Sequence, residues 1–480
     1  MLFFIAKFKN VCYNEVDCIK GVVVVRTYQD LLAISQDESS RARFVNEVIT
    51  DHKASELYRT AVIADEYSKH RNVTISKYKK LLYKLSGQAV EDRWGSSYKL
   101  ACRHFHRFIT QENQFLLGNG VTWEDEKTAE KLGNKRYPFD VQLQKASREA
   151  LIGGVSFGLF NYDHIDVFSV TEFAPLYDEE NGALKAGVRF WQIDSTKPLR
   201  ATLYEIDGYT EYVWYKDRIL SDAWRVLSNG LAIKDKRAYK ITKATTEADG
   251  EAIYSGENYP AFPIVPLWGN QEHQSELVGL REQIDCYDLI KSGFCNTVDE
   301  SSIVYWTLKN ASGMDDIDVA KFLQELKLAH AARTDDEVDP QPHTIEPPYA
   351  SREALLTRLD KDLYRDAMAL NTEDIAGGPT TATQIKAAYE PLNSKCDSYE
   401  YCVINFIQGI LEIAGIEDNP TFTRSMLINV AESIQSLSQA AAYLPEEYVT
   451  RKMLTLLGDG DKADEYIAQM QADDLPKIEE

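Results

Sequence analysis

Gly154-Val155-Ser156-Phe157-Gly158 has the GxSxG spacing of a nucleophile elbow. In that motif a strand delivers the serine and a helix carries the chain away, which presents the hydroxyl for attack on an acyl carbon. The pattern around Ser156 runs in the opposite order. Residues 140–153 have helical spacing closed by Gly153-Gly154, and β-branched and aromatic residues dominate from Leu159 onward. A glycine-rich turn from helix to strand therefore accounts for the motif without catalysis. His104 and His106 offer imidazoles to a metal. On a helix, residues two apart point about 200° away from each other, so this pair cannot share an ion as i,i+4 histidines do. Asp459-Gly460-Asp461 starts like a calcium loop but lacks the fifth-position ligand and the glycine that follows. Gly377-Gly378-Pro379-Thr380-Thr381 opens a helix as a phosphate loop does, without the Gly-Lys-Ser/Thr that would grip a nucleotide. Carboxylates are spread along the chain, and no spacing singles out a catalytic pair. The residues point away from an enzyme and imply neither metal nor cofactor.

These residues sit in a large acidic chain. Its 480 residues suggest about three domains at roughly 150 residues each. A hydrophobic share of 44% against 27% charged residues allows a sizeable core. The formal net charge of -22 excludes a chain that, taken whole, grips a polyanion by counterion release. Weak contact with DNA stays open, and copies of the chain should repel one another at low salt. The 27 tyrosines suit interfaces as well as cores. Seven scattered cysteines, odd in number and without CxxC spacing, fit a reducing intracellular setting. Met1–Asn10 is too short in apolar residues for a signal peptide, and the Val22–Val25 run is far too short for a bilayer. A soluble, cytosolic product with no membrane partner is expected.

Hydrophobic period organises the rest. Residues 1–40 read as strands or an arm. Ser40 to Leu117 is helical in pattern, with Val45, Val48 and Ile49 at helix spacing and a later helix from about Ser96 to Leu117. From Leu159 to about Tyr254 the period becomes that of antiparallel strands, with turns at Asn181-Gly182 and Asp207-Gly208. The proline-rich 259–266 segment must be extended. Helices are expected over 275–300, near Val319–Leu328, from an N-cap at Ser351 to about Leu370, and from Thr381 to Ala414 with a kink near Pro391. Residues 421–472 read as two or three short helices before an acidic tail.

Several segments carry a resemblance through their order. Phe115 to Trp123 (FLLGNGVTW) closes the helical region, and Gly153 to Phe160 forms the small-residue turn before the sheet. Pro263 to Asn270 (PIVPLWGN) is followed by Ser275-Glu276-Leu277, then Ile284-Asp285-Cys286-Tyr287-Asp288. Thr381 to Tyr389 (TATQIKAAY) opens the long helix, and 444–472 supplies a helix before an acidic one. In this order the chain resembles the portal proteins of long-tailed bacteriophages over about Ala61 to Gln471; the first 40 residues match no part of them. The resemblance implies an α+β portal fold: wing 1–270, first stem helix 275–300, clip 301–346, second stem helix 347–371, tunnel loop 372–380, long kinked helix 381–415, crown 416–480. It also implies a homo-dodecameric ring at one capsid vertex in the virion, assembled in the host cytoplasm. Double-stranded DNA would pass through without sequence specificity. Terminase large subunit, a head–tail adaptor, and the major capsid and scaffolding proteins would be partners.

Within that frame Asn371, Thr372, Glu373, Asp374, Gly377, Gly378 and Thr380 would form the DNA-facing loop. It has no Lys or Arg, and its glycines would let it flex. Arg358, Lys361 and Arg365, at i, i+3 and i+7, share one helix face. They would line the channel or else pair with Asp360, Asp362 and Asp366. Asp335, Asp336, Glu337 and Asp339 would offer the clip's acidic docking surface or else a solvated loop. Alternative readings are a minor capsid or baseplate protein of the same kind of virus, and a soluble α+β enzyme without recognisable motifs.

Overall fold

The computed structural model describes residues 25–467 apart from 36, 84–87, 93–94, 126, 216–223, 229, 247–251, 301–304, 310–314, 330–338, 344–348, 374–381, 426–429, 459–461 and 465. Of the strands or arm expected over residues 1–40, residues up to 24 lie outside the described residues and Tyr28–Ala33 is instead a helix, closed at its start by a capping box of Thr27 and Asp30. Also outside the described residues are Asp335, Asp336, Glu337, Asp374, Gly377, Gly378, Thr380 and the Asp459-Gly460-Asp461 motif. The chain divides into two units, one of residues 1–60, 159–162 and 168–265, the other of 61–158, 163–167 and 266–480.

In the first unit an antiparallel sheet has the spatial order Arg225–Ser228, Leu231–Ile233, Gly208–Trp214, Leu199–Glu205, Leu184–Trp191, Phe173–Tyr177. The hairpin at Ile206-Asp207 is tight, with Glu205 paired to Gly208. Alternate residues Ala186, Val188 and Phe190, joined by Ala201 and Leu203, turn to one face and meet Val45, Val48 and Ile49 of the Glu38–Ala54 helix. Period 2 on the strands thus meets spacing 3–4 on the helix. Each fully buried Val or Ile contributes about 1.5–3 kcal/mol relative to exposure. Arg41 of that helix is paired with Glu205 of the sheet.

The second unit is mainly helical. The Phe139–Gly153 helix ends on Gly154 at φ 87, a left-handed C-cap. A Cβ there would also lie 2.9 Å from the backbone carbonyl carbon of Gln274, so both conformation and space require glycine. Ser156 follows inside the Val155–Asn161 strand. It is fully buried, and its hydroxyl donates to Ala146 O at 2.7 Å. The order is helix, turn, strand, and the GxSxG spacing is architectural.

Several boundaries differ from expectation. The helix expected from Ser96 begins at His104. Upstream of it the chain spends its backbone donors on a neighbouring helix: Tyr98 N–H donates to Asn296 Oδ1 at 2.7 Å, Leu100 N–H to Ser292 Oγ at 3.0 Å and Cys102 N–H to Asp288 Oδ1 at 2.9 Å. Two residues of extended chain advance about 6.6 Å and four helical residues about 6.0 Å, so the two periods run in step. A short hairpin, Leu81–Tyr83 with Ala89–Glu91, interrupts the expected helical region. Strands of three residues are too short to show a period. Ser351 lies inside the Tyr349–Asp366 helix rather than capping it, and Met368 at φ 52 marks the exit. Residues 275–280 form turns, and the next helix spans Arg281–Glu300. Ala382–Ala414 is one helix containing Pro391.

Candidate functional site

Two helices frame the site. Gln283, early in Arg281–Glu300, donates to Asp366 at the end of Tyr349–Asp366. Arg352, early in the second helix, donates to Thr297 Oγ1 at 2.8 Å, late in the first. The helices are therefore antiparallel neighbours. The chain between them makes a closed excursion. Tyr305–Lys309 pairs with Asp339–His343 at its base, and the Asp316–Ala329 helix lies between those strands in sequence. Asp339 stands in the strand opposite Lys309.

The first helix is clasped from two sides. Asp288, fully buried, accepts from Cys102 N–H and from Asn72 Nδ2 at 2.8 Å. Burial raises its carboxyl above the ordinary range, and those donors act against the shift. Tyr67 donates to Asp285 one turn earlier. The sequence reading missed Asp288, Ser292 and Asn296 as a set. Their i, i+4, i+8 spacing was the available signal.

On the second helix, Arg358 Nε donates to Asp362 at 2.8 Å and Arg365 donates to the same carboxylate at 3.0 Å. Both arginine side chains are about 70% exposed. Asp360 and Asp366 do not join these pairs. Asp360 accepts from His104 Nε2 at 2.7 Å, and Asp366 accepts from Gln283. Lys361 is exposed, with no ion pair among the described residues. Lys361 and Arg365 line a cleft of about 430 Å³ closed by Ala387, Ala388 and Pro391. Pro391 has no N–H, so Ala387 O lacks its helical donor there. Asn371 to Glu373 continue from this helix, with Asn371 Oδ1 accepting from Glu373 N–H at 3.1 Å. Of the expected loop, the structure describes Asn371, Thr372 and Glu373.

Further along the chain, the Ala382–Ala414 helix is fixed by a buried ionic cluster. Lys395 Nζ lies 2.7 Å from carboxylate oxygens of both Glu112 and Glu276. Burial opposes charge on Lys395, but the two carboxylates outweigh it and raise its proton affinity. Burial also drives the Glu112 carboxyl upward, opposed by Lys395 and reinforced by Glu276. One turn on, Tyr399 donates to Ser147 Oγ at 2.8 Å.

His104 and His106 do not converge on an ion. His106 Nδ1 meets Ser68 O at 3.1 Å, while His104 holds Asp360. Among the described residues no cluster of His, Cys, Asp and Glu could hold a metal, and no helix is long and apolar enough to cross a membrane.

The described residues thus run from an antiparallel helix pair, with the Tyr305–Lys309 and Asp339–His343 strands between its members in sequence, to the long Ala382–Ala414 helix. The model of the family "Phage portal protein, SPP1 Gp6-like" matches residues 47–476. The chain belongs to this portal protein family. The portal protein of Clostridium phage phiCD119 is 22% identical over 460 residues, 92% of this chain and 87% of that protein. The portal protein of Bacillus phage SPP1 is 24% identical over 393 residues, 76% of this chain and 74% of that protein. Among solved structures, a chain from the neck of an empty gene transfer agent particle computed with C6 symmetry aligns with TM-score 0.44 and 10% identity, covering 74% of this chain and 90% of that one. A chain from the neck of the native particle computed with C12 symmetry aligns with TM-score 0.43 and 10% identity, over 73% and 89%.

Proposed function

We propose that copies of this chain close into a dodecameric ring at one vertex of a phage capsid. Double-stranded DNA enters and leaves through the ring, while terminase and a head–tail adaptor dock on it. The antiparallel pair Arg281–Glu300 and Tyr349–Asp366 forms the channel stem, and the excursion between them is the clip. The loop after Leu370 faces DNA, and the helices from Val430 onward belong to the crown. Family membership supports the portal role, and the helix pair carries the assignment of parts. Its two ends are tied by Gln283–Asp366 and Arg352–Thr297, so it can act as a stiff stave. The chain's work is structural, and ATP hydrolysis belongs to a separate motor subunit.

A ring of identical subunits needs two different faces that meet head to tail and close on rotation. Electron microscopy of the purified chain at high concentration, with native mass measurement, tests this. End-on rings with a central hole and twelve-fold symmetry are expected. A monomer at every concentration and salt would refute it.

A further inference from the structure

We infer that the cleft beside the start of the His104–Leu117 helix is an oxyanion site that takes a phosphate group. Its volume is about 380 Å³, and Arg103, Arg107 and Lys291 converge on it. In a chain of net charge -22, cations such as Arg41, Lys234, Lys395 and Arg424 are each neutralised by a carboxylate. These three have no ion pair among the described residues. Two of them are held by aromatic posts instead. The Arg107 guanidinium donates to Tyr364 Oη with its centre 5.9 Å from that ring, and Lys291 Nζ lies 5.6 Å from the Tyr287 ring. Cations held in place this way lose little side-chain entropy when an anion arrives.

The polar groups around them fit the same ligand. His104 lines the cleft with only 8% of its side chain exposed. Its Nε2 is committed to Asp360 and its Nδ1 is buried, so His104 shapes the wall of the cleft rather than binding the ligand. Asn371 spends its carbonyl oxygen on Glu373 N–H, which leaves its amide N–H groups for a ligand, and Thr372 adds a hydroxyl. Two carboxylates also line the cleft, Asp360, bound to His104, and the exposed Glu373; both lie close enough to favour the charge on Arg107, whereas neither is ion-paired to Arg103 or Lys291 among the described residues. Planar guanidinium donors, an ammonium and an amide suit a multivalent tetrahedral oxyanion. A phosphodiester of duplex DNA and free inorganic phosphate share that chemistry.

The site itself does not depend on the portal reading; only the DNA source rests on it. Binding of inorganic phosphate by equilibrium dialysis at fixed ionic strength, and of a short duplex by fluorescence anisotropy across a salt series, is measured on the full chain. The variants are R103Q/K291Q, the charge-conserving R103K/K291R, and K452Q as a distant control. R103Q/K291Q should bind phosphate at least about tenfold more weakly, with R103K/K291R partly restored and K452Q unchanged. If duplex binding falls as well, with a salt slope lower by about two, the phosphodiester is the source. Loss confined to inorganic phosphate assigns the site to a small anion. Wild-type chain that binds neither probe, or R103Q/K291Q that binds both like wild type, overturns the site. Ring formation is scored separately on the same samples. Rings without phosphate binding refute the cleft alone, and phosphate binding without rings refutes the proposed ring assembly alone.

Discussion

Lys395 Nζ lies 2.7 Å from Oε2 of Glu112, a carboxylate with only 2% of its side chain exposed. This contact pins the Ala382–Ala414 helix to the His104–Leu117 helix four residues after Pro391, where a helical hydrogen bond is missing. A buried pair adds little net stability over an apolar one, but removing one partner strands the other. Lys395→Met should therefore cost about 3–5 kcal/mol near pH 8, and K395M/E112Q should recover part of that loss. Urea unfolding of the three proteins decides it. A Lys395→Met cost below about 1 kcal/mol would mean that the pair contributes no tie.

The same pair predicts a pH dependence. The Glu112 carboxyl is raised from 4.5 to about 7, with burial as the main cause. The native state thus holds a proton that the unfolded chain has released between these values. Stability from this group is full below about 4.5 and is lost as pH rises toward about 7. Glu112→Gln should stay flat across that window. The stability of E112Q relative to wild type should thus rise by roughly 1–3 kcal/mol between pH near 5 and near 8. Equal slopes for both proteins would remove Glu112 from the account.

Much of the framework was legible because period and turn chemistry are local. Val45, Val48 and Ile49 declared their helix face, Asn181-Gly182 and Asp207-Gly208 the hairpins, and the reversed order around Ser156 ruled out a nucleophile elbow. The start of the helix at His104 was not legible. What decides it is a set of bonds from Tyr98, Leu100 and Cys102 to residues nearly two hundred positions away. The pairs on the second helix were legible only in part. Spacing shows that Arg358 and Arg365 can reach Asp362, but His104 claiming Asp360 is a tertiary event. The cluster of Lys395, Glu112 and Glu276 joins three distant segments, and no spacing announces it.

The ladder along the first helix makes its own prediction. Asp288 accepts two hydrogen bonds in a fully buried position, whereas Asn296 accepts one at an exposed backbone position. Asp288→Ala leaves a buried donor, Asn72 Nδ2, and a part-buried one, Cys102 N–H, unsatisfied and should cost about 2–5 kcal/mol, against roughly 1 kcal/mol or less for Asn296→Ala. Hydrogen exchange supplies the second readout. Protection of the Tyr98, Leu100 and Cys102 amides should fall together in Asp288→Ala, because one segment carries all three. Loss at Cys102 alone would show that the rungs act independently.

Asp362 accepts from Arg358 and Arg365 at once, and so it sets how much positive charge this helix face presents. Exposed pairs at i,i+3 and i,i+4 are worth about 0.3–0.5 kcal/mol each, so Asp362→Ala should lower stability by no more than about 1 kcal/mol and leave assembly intact. Its effect on DNA should be larger. If this face lines the channel, each subunit of the ring gains unpaired cations beside Lys361, and duplex affinity should rise with a steeper salt dependence. Lys361→Gln should act in the opposite direction. Duplex binding to assembled rings across a salt series reads both effects. Unchanged affinity in both variants, with rings intact by electron microscopy, would place Arg358, Lys361 and Arg365 on a face that DNA does not touch.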